Sequence, residues 1–365
     1  MMINQAIIAM LFLITCIQFV LIFGESTQMD YAQFNFAVRL IRETVRSDQS
    51  VILSPASIST ALFMIYHATD GEMKQRLQKI LGGNARKMEI QRYFSKILAD
   101  NVGTRNNNNY ILNIANRFYV RQGFSMKPSL SYILQFYYGE KLHHFNYEQR
   151  NHLAQEINNW LSDKINRKIT ELMITTNIKP ETKILILNAI CFKGTWKEQF
   201  SREAKSIFHI SHNKKKKVNL VIILPKIRFN LLSVREKMTG RDLIMYIKNA
   251  IPTEVKIKLP KFGLRQELNL EDTLKKFGIM DSFSENDNLK RLSDNPISVS
   301  SIIHDAFFEV NEGETGIAAE IGINSFDFPS KNVVIFNADQ PFLYFVVKNL
   351  QIVLFAGQCG YFCSF

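Results

Sequence analysis

The residues with the plainest capacity for chemistry in this 365-residue chain are its seven histidines, its serines and a run of lysines. His209 and His212 stand three apart, a ligand-like spacing, but lack the companion glutamate of an H-E-x-x-H helix. His143 and His144 are adjacent and have no partner at metal-ligand spacing. No G-x-S-x-G presents a serine nucleophile, and no Gly-rich loop carries the lysine of a phosphate site. Neither an enzyme nor a metal or cofactor protein is expected. Lys214, Lys215, Lys216 and Lys217 form a compact basic run, and Lys74, Arg76, Lys79, Arg86, Lys87, Arg92 and Lys96 decorate an earlier stretch. With 45 Lys and Arg against 33 Asp and Glu the net charge is +12, which invites a polyanion but selects none. Glu72 and Glu89 lie beside and within the basic stretch, so a solvated basic face competes with a sulfated-glycan site, and nucleic acid is not expected.

A second kind of chemistry lies in Gly313–Ser330, a stretch poor in strong element formers that contains Gly316, Gly322 and Pro329 between two apolar strand patterns. A loop this long within a compact domain is usually functional or disordered. Its alternation argues further: Thr315, Ile317, Ala319, Ile321 and Ile323 make one mostly apolar face, while Gly316, Ala318, Glu320, Gly322 and Asn324 make a small or polar one. The loop is patterned as a strand able to enter a sheet.

The elements around these residues follow from their punctuation. Ser54-Pro55 is a helix start, followed by Ile58, Ala61, Leu62 and Ile65 at helical spacing, with Gly71 expected to close the segment. Helical patterns cover 73–80, 88–98, 128–138 and 153–165, and the part of the chain before Ile184 reads as helical. Ile184–Phe192 is a near-continuous apolar run, as in a strand buried on both faces. Val255, Ile257 and Leu259 alternate with Lys256 and Lys258, and 342–347 and 352–355 are further strands. There is no internal repeat, and a single α+β domain is expected.

The N-terminus bears on compartment. Ala6–Phe23 is an uncharged apolar run followed by Gly24 and Ser26, the pattern of a signal peptide over residues 1–26, with an uncleaved anchor as the rival reading. Cleavage would remove Glu25 and Cys16 and no basic residue, leaving 45 basic against 32 acidic residues, or +13, and three cysteines. Cys191, in an apolar run, reads as a buried thiol; Cys359 and Cys363 are the one local pair. No Asn-x-Ser/Thr acceptor occurs.

Several segments together resemble the serpins: VILSPASISTAL (51–62), YILNIANRFYV (110–120), INNWL (157–161), LNAICFKGTWKEQF (187–200), LPKF (259–262), HDAFFEVNEGETGIAAE (304–320), FNADQPFLYFVV (336–347) and VLFAG (353–357). Their shared order spans almost the whole chain after the leader. The resemblance implies three β-sheets wrapped by eight or nine helices, residues 27–365 forming one domain, and an exposed reactive-centre loop at about 313–335. It implies a serine protease inhibitor acting as a suicide substrate: the protease is acylated on the loop, and the cut loop inserts into the large sheet.

Carried over by position, the hinge is Glu312, Gly313, Glu314, Thr315, Gly316, Ile317, Ala318, Ala319 and Glu320, and the nominal reactive bond is Phe328-Pro329. Phe326-Asp327 and Ser330-Lys331 are the alternatives, because proline after the cut is poorly accepted. Lys331 is the loop's one basic residue, which favours a chymotrypsin-like target over a trypsin-like one. Two departures from the family pattern fall in the hinge: Gly313 and Glu314 stand exchanged, and bulky Ile317 occupies a small-residue position, where overpacking would slow insertion. Ser54, Asn188 and His304 match the shutter beneath the large sheet, and Trp196 matches the breach where insertion begins.

The family pattern also carries a few dozen residues between Lys217 and Val221 that this chain lacks, so part of the second sheet is expected to be missing. An omitted exon is the favoured reading over a natural deletion. Two functions remain: a secreted, monomeric protease inhibitor, or a non-inhibitory serpin that carries a ligand or binds heparin-like polymers through Lys214–Lys217, Arg86, Lys87, Arg92 and Lys96.

Overall fold

The computed structural model describes residues 27–45, 49–102, 110–164, 178–195, 218–251, 253, 255–260, 263–279, 291, 293, 299–311 and 334–360. The described chain opens with α1 (Gln28–Thr44), started by a capping box in which the Thr27 hydroxyl accepts from the Asp30 amide and the Asp30 carboxylate accepts from the Thr27 amide. β1 (Val51–Leu53) leads into α2 (Pro55–Ala68), whose residues are nearly all buried. Ser54 caps it and Pro55 occupies the first turn, as expected. Gly71 does not close this helix, which ends at Ala68; at φ +59° Gly71 opens α3 (Gly71–Gly82). The left-handed turn therefore belongs to the start of the following helix. α4 (Lys87–Val102), α5 (Pro128–Ile133, continued by a π turn), α6 (Arg150–Lys164), α7 (Leu231–Lys237), α8 (Gly240–Lys248) and α9 (Glu271–Lys276) make nine helices among the described residues.

The segment before Ile184 is not purely helical. β2 (Tyr110–Arg121) and β3 (His143–Phe145) lie within it and join β4 (Ile184–Thr195), β8 (Val299–Asn311) and β7 (Leu264–Asn269) in a five-stranded sheet of order β3-β2-β4-β8-β7. β2 escaped the pattern reading because it carries polar Asn113 and Asn116 among its buried positions. β2 and β4 are antiparallel, as are β7 and β8, but the central pair β4 and β8 is parallel from Ile184–Val299 to Thr195–Asn311. A second, antiparallel sheet runs β1-β11-β10-β5, with β5 (Val218–Ile223), β10 (Phe342–Lys348) and β11 (Ile352–Cys359). β6 (Val255–Lys258) and β9 (Val334–Asn337) pair in parallel as a third.

The two faces of the five-stranded sheet bury different cores. Leu185, Leu187, Ala189, Cys191 and Ile303 pack under α6 with Leu153, Ile157 and Trp160. Ile190, Phe192, Ala306 and Phe308 pack against Tyr344 and Phe355 of the second sheet. α6 is further tied to the sheet by Arg117 of β2, which stacks over Trp160 at 4.0 Å and pairs with Glu140 at 3.3 Å, while Lys164 reaches Glu140 at 3.4 Å. Cys191 is buried, as expected, and Cys359 is disulfide-bonded; Cys363 lies outside the described residues.

Gly357 of β11 shows how tightly the sheet and its neighbours meet. A Cβ there would sit 2.3 Å from the Val51 carbonyl oxygen and 2.4 Å from the Tyr344 ring, well inside contact distance with backbone that cannot yield. Gly357→Ala is expected to cost about 2–4 kcal/mol through overpacking and strand displacement. A urea denaturation midpoint lowered accordingly would bear this out; an unchanged midpoint would mean that β1 can move away freely.

Candidate functional site: a polar row beneath a parallel seam

Three polar side chains lie in register across the middle of the five-stranded sheet. Asn116 of β2 faces Asn188 of β4, which faces His304 of β8. All three are buried, Asn188 and His304 completely. A strand interior can hold such groups only when each finds a partner, and the partners come from the N-terminus of α2. The Asn188 side-chain amide donates to Ser57 Oγ at 2.6 Å and to Asn116 Oδ1 at 2.6 Å. Its Oδ1 lies 2.6 Å from His304 Nδ1. The Ser54 amide donates to His304 Nε2 at 3.1 Å, and the Ser54 hydroxyl donates to the Leu354 carbonyl of β11 at 2.6 Å while accepting from the Ser57 amide.

These bonds fix the protonation of His304. Nε2 accepts from a backbone amide and so carries no proton; Nδ1 then donates to Asn188. The ring is neutral, and complete burial pushes its pKa down to about 3. Its partners among the described residues are the Ser54 amide and the Asn188 side chain, the bonds of a structural clamp. It binds both strands of the parallel pair to α2 and, through Leu354, to the second sheet.

The opposite face of β8 carries a less satisfied group. Asp305 is completely buried, with Oδ2 accepting from Arg265 Nη2 at 3.2 Å and Oδ1 without a hydrogen-bond partner. Burial raises its pKa to about 6, outweighing Arg265, and Glu267 adds a like charge. It sits opposite Ala189 on the edge that β8 shares with β4.

The expected Ser54, Asn188 and His304 are thus brought together. Ser57, Asn116 and Asp305 were missed; for Asn116 and Asp305 a polar residue inside an otherwise apolar strand pattern was the available signal, whereas Ser57 lies in the first turn of α2. The hinge residues 312–320, the reactive-bond residues 326–331, Trp196 and Lys214–Lys217 lie outside the described residues. Of the basic positions, Arg86, Lys87, Arg92 and Lys96 are all exposed, but one turn's spacing places only Arg92 and Lys96 on the same stripe of α4. Arg86 pairs with Glu89 at 3.2 Å. Lys74 is spent on the carbonyls of Tyr66 and Thr69 at the end of α2, and Arg76 on Glu72 and the Gly278 carbonyl. Among the described residues no group of three or more His, Cys, Asp or Glu could hold a metal ion, and no helix is long and apolar enough to cross a membrane.

The family model for serpins, described as serine protease inhibitors, matches residues 31–221 and 215–360. The chain belongs to the serpin family. Leukocyte elastase inhibitor of Homo sapiens is 29% identical over 379 residues, covering 91% of this chain and 98% of that protein. Neuroserpin of Gallus gallus is 27% identical over 359 residues, covering 86% of each. Among solved structures, Arabidopsis AtSerpin1 in its native stressed conformation superposes with a TM-score of 0.78 at 23% identity, covering 93% of this chain and 99% of that one. Native protease nexin-1 with heparin gives 0.73 at 21%, covering 91% and 98%. These structures share the serpin fold with this chain.

Two outcomes test the seam. His304→Ala should leave the Ser54 amide and the Asn188 carbonyl oxygen buried and unpaired, lowering stability by about 2–4 kcal/mol; an unchanged denaturation midpoint would mean the clamp is not tight. Asp305 works oppositely. Its folded pKa lies above the ordinary carboxylate value, so its cost is present above about pH 6 and disappears as pH falls toward 4. Asp305→Asn should stabilise the protein at pH 7 by roughly 1–2 kcal/mol and make little difference at pH 4.5. His304, with its depressed pKa, makes both proteins lose stability as pH falls below 6.5, so the difference between them isolates the carboxyl. An equal effect of Asp305→Asn at both pH values would rule out a titrating Asp305.

Proposed function

We propose that this chain is a secreted inhibitor of serine endopeptidases that works by loop cleavage and insertion between β4 and β8. The observation that carries the reading is the parallel pairing of those two strands. A segment leaving the C-terminal end of β8 and folding back runs opposite to β8, and therefore opposite to β4 as well. Placed between them, it replaces one parallel ladder by two antiparallel ones. That adds a row of backbone hydrogen bonds and substitutes the more stable pairing geometry. Residues 312–333 connect β8 to β9, long enough at about 3.3 Å per residue to run the length of β8. The closed seam is thus a state from which sheet completion releases free energy.

In the proposed reaction the protease serine attacks the carbonyl carbon of the scissile residue. The peptide C–N bond breaks, the amine leaves with a proton from the protease base, and an ester joins the two proteins. Insertion then separates the acylated end from the rest of the catalytic apparatus before water can cleave the ester. Phe328-Pro329 is the nominal bond, with Phe326-Asp327 and Ser330-Lys331 as alternatives, and a chymotrypsin-like protease the favoured target. The inserting face would carry Ile317 toward the core, where its bulk slows entry, so a fraction of molecules is expected to be cleaved without trapping protease. The polar row must part as the seam opens, because Asn188 and His304 stand on its two sides. Signal cleavage after Ser26 would leave Thr27, the residue that caps α1, at the start of the mature chain. The anionic-polymer reading has less support, since only Arg92 and Lys96 share one stripe of α4.

Incubation with chymotrypsin should give a band of the combined mass that survives boiling in detergent, beside a cleaved band. Ile317→Ala is expected to shift the partition toward complex by several-fold. Clean cleavage with no stable complex, for both proteins and across a panel of serine proteases, would overturn the proposal.

A further inference from the structure

The third sheet carries an exposed basic face beside the point where the segment 312–333 rejoins the fold. β9 begins at Val334, directly after that segment, and pairs in parallel with β6, Ile335 opposite Lys256 and Asn337 opposite Lys258. Phe336 and Leu259 pack on the core shared with the second sheet. Strand alternation then turns Lys256, Lys258 and Ile335 to the other face, and all three are exposed. A third lysine is held at the end of this face. The Ala338 amide donates to the Lys258 carbonyl at 2.9 Å, and the Gln340 side chain donates to the Pro225 carbonyl at 3.0 Å, which brings Lys226 to the link between β9 and β10. Lys226 is exposed as well. Among the described residues none of the three lysines makes an ion pair or a side-chain hydrogen bond. The acid of the link, Asp339, is taken by Arg228 at 3.2 Å and by the Asn337 side chain at 2.9 Å. Three positive charges therefore stand without a counter-charge on rigid backbone.

We propose that Lys226, Lys256 and Lys258 form a secondary docking surface for the attacking protease, one that selects enzymes with an acidic surface beside their cleft. The role rests on the inhibitory reading and adds a partner chemistry to it. Chain length fixes the reach. Ser330, Phe328 and Phe326 stand four, six and eight residues before Val334, so each candidate bond lies within about 13–28 Å of extended chain from the start of β9. A compact catalytic domain of roughly 230 residues has a radius of gyration of about 17 Å, and its outer surface extends further. An enzyme closed on any of the three bonds therefore has the third sheet beneath its rim, and Lys256 is one strand spacing from Ile335. Contacts there form at encounter, before the ester does. Opposite charges on the two rims steer the approach, and like charges oppose it. The basic face thus sets how fast a given protease reaches the loop, while the division between trapped enzyme and cut loop is decided afterwards. It discriminates among proteases that share one preference at the scissile residue.

The probe is chymotrypsin, used as such and after succinylation of its surface lysines, which makes its surface acidic and leaves its specificity pocket in place. Active-site titration brings both forms to equal working concentration. The rate constant for attack on the loop, complex and cleaved chain counted together, is measured for the full mature chain and for a variant combining Lys226→Glu, Lys256→Glu and Lys258→Glu. At low salt the reversal should slow attack by the succinylated enzyme by about tenfold or more and leave the trapped fraction unchanged. The difference should fade at high ionic strength, and unmodified chymotrypsin should not be slowed. An equal charge change elsewhere, Lys79→Glu with Lys141→Glu and Lys179→Glu, should slow the succinylated enzyme by less than about threefold. Lys141 and Lys179 precede β3 and β4, at the end of the five-stranded sheet opposite the one from which β8 leaves for the loop. Equal slowing by both triple variants, equal rates for the wild-type chain and the third-sheet variant, or a slowing that salt does not touch would overturn the proposal. Clean cleavage without trapping contradicts the inhibitory reading alone, because the rate of cutting still reports docking. A loop that neither form of the enzyme attacks overturns both.

Discussion

The parallel pairing of β4 with β8 is the constraint on which the rest of this structure depends. The other ladder of each of these two strands is antiparallel, and α6 covers one face of the seam while α2 and the second sheet cover the other. The polar row of Asn116, Asn188 and His304 crosses the seam near its middle and is satisfied only because α2 presents Ser54 and Ser57 beneath it. The seam therefore has a defined closed state, held by a few directional bonds to one helix end rather than by apolar packing alone. Such a clamp suits a sheet that must stay shut and also be able to open, because the bonds release together once register is lost.

The two faces of β8 make opposite contributions. His304, on the face toward α2, is fully partnered and stays neutral. Asp305, its neighbour in sequence, faces the α6 side with one carboxylate oxygen unpaired. A completed clamp beside a buried acid with one oxygen unpaired gives a strand whose attachment is locally strong and whose hydrogen bonding is incomplete.

How much of this could be read from the residues alone varies with the physics involved. The start of α2 was legible in Ser54-Pro55, because a cap and a proline act locally. β4, β10 and β11 were legible as apolar runs. β2 was not, since Asn113 and Asn116 break its hydrophobicity for reasons that lie across the sheet, in Asn188 and Ser57. Gly71 was read as a stop and is a start, the two being indistinguishable until the neighbouring helix is known. The shutter positions were placed by resemblance to the serpins rather than by any local pattern, and the structure supplies the bonds between them.

Basic charge, the most conspicuous feature of the composition, contributes little to the interior. Lys74 and Arg76 close a helix end and a loop, and Arg117 holds α6 to the sheet, so part of the surplus is structural. In the proposed mechanism the functional weight falls on the seam and on the weakly charged segment after β8. The most direct test of the central claim is the thermal unfolding of the mature chain before and after limited proteolysis within 313–335. Completion of the sheet predicts a midpoint raised by more than about 10 °C after cleavage. An unchanged or lowered midpoint would contradict a metastable seam between β4 and β8.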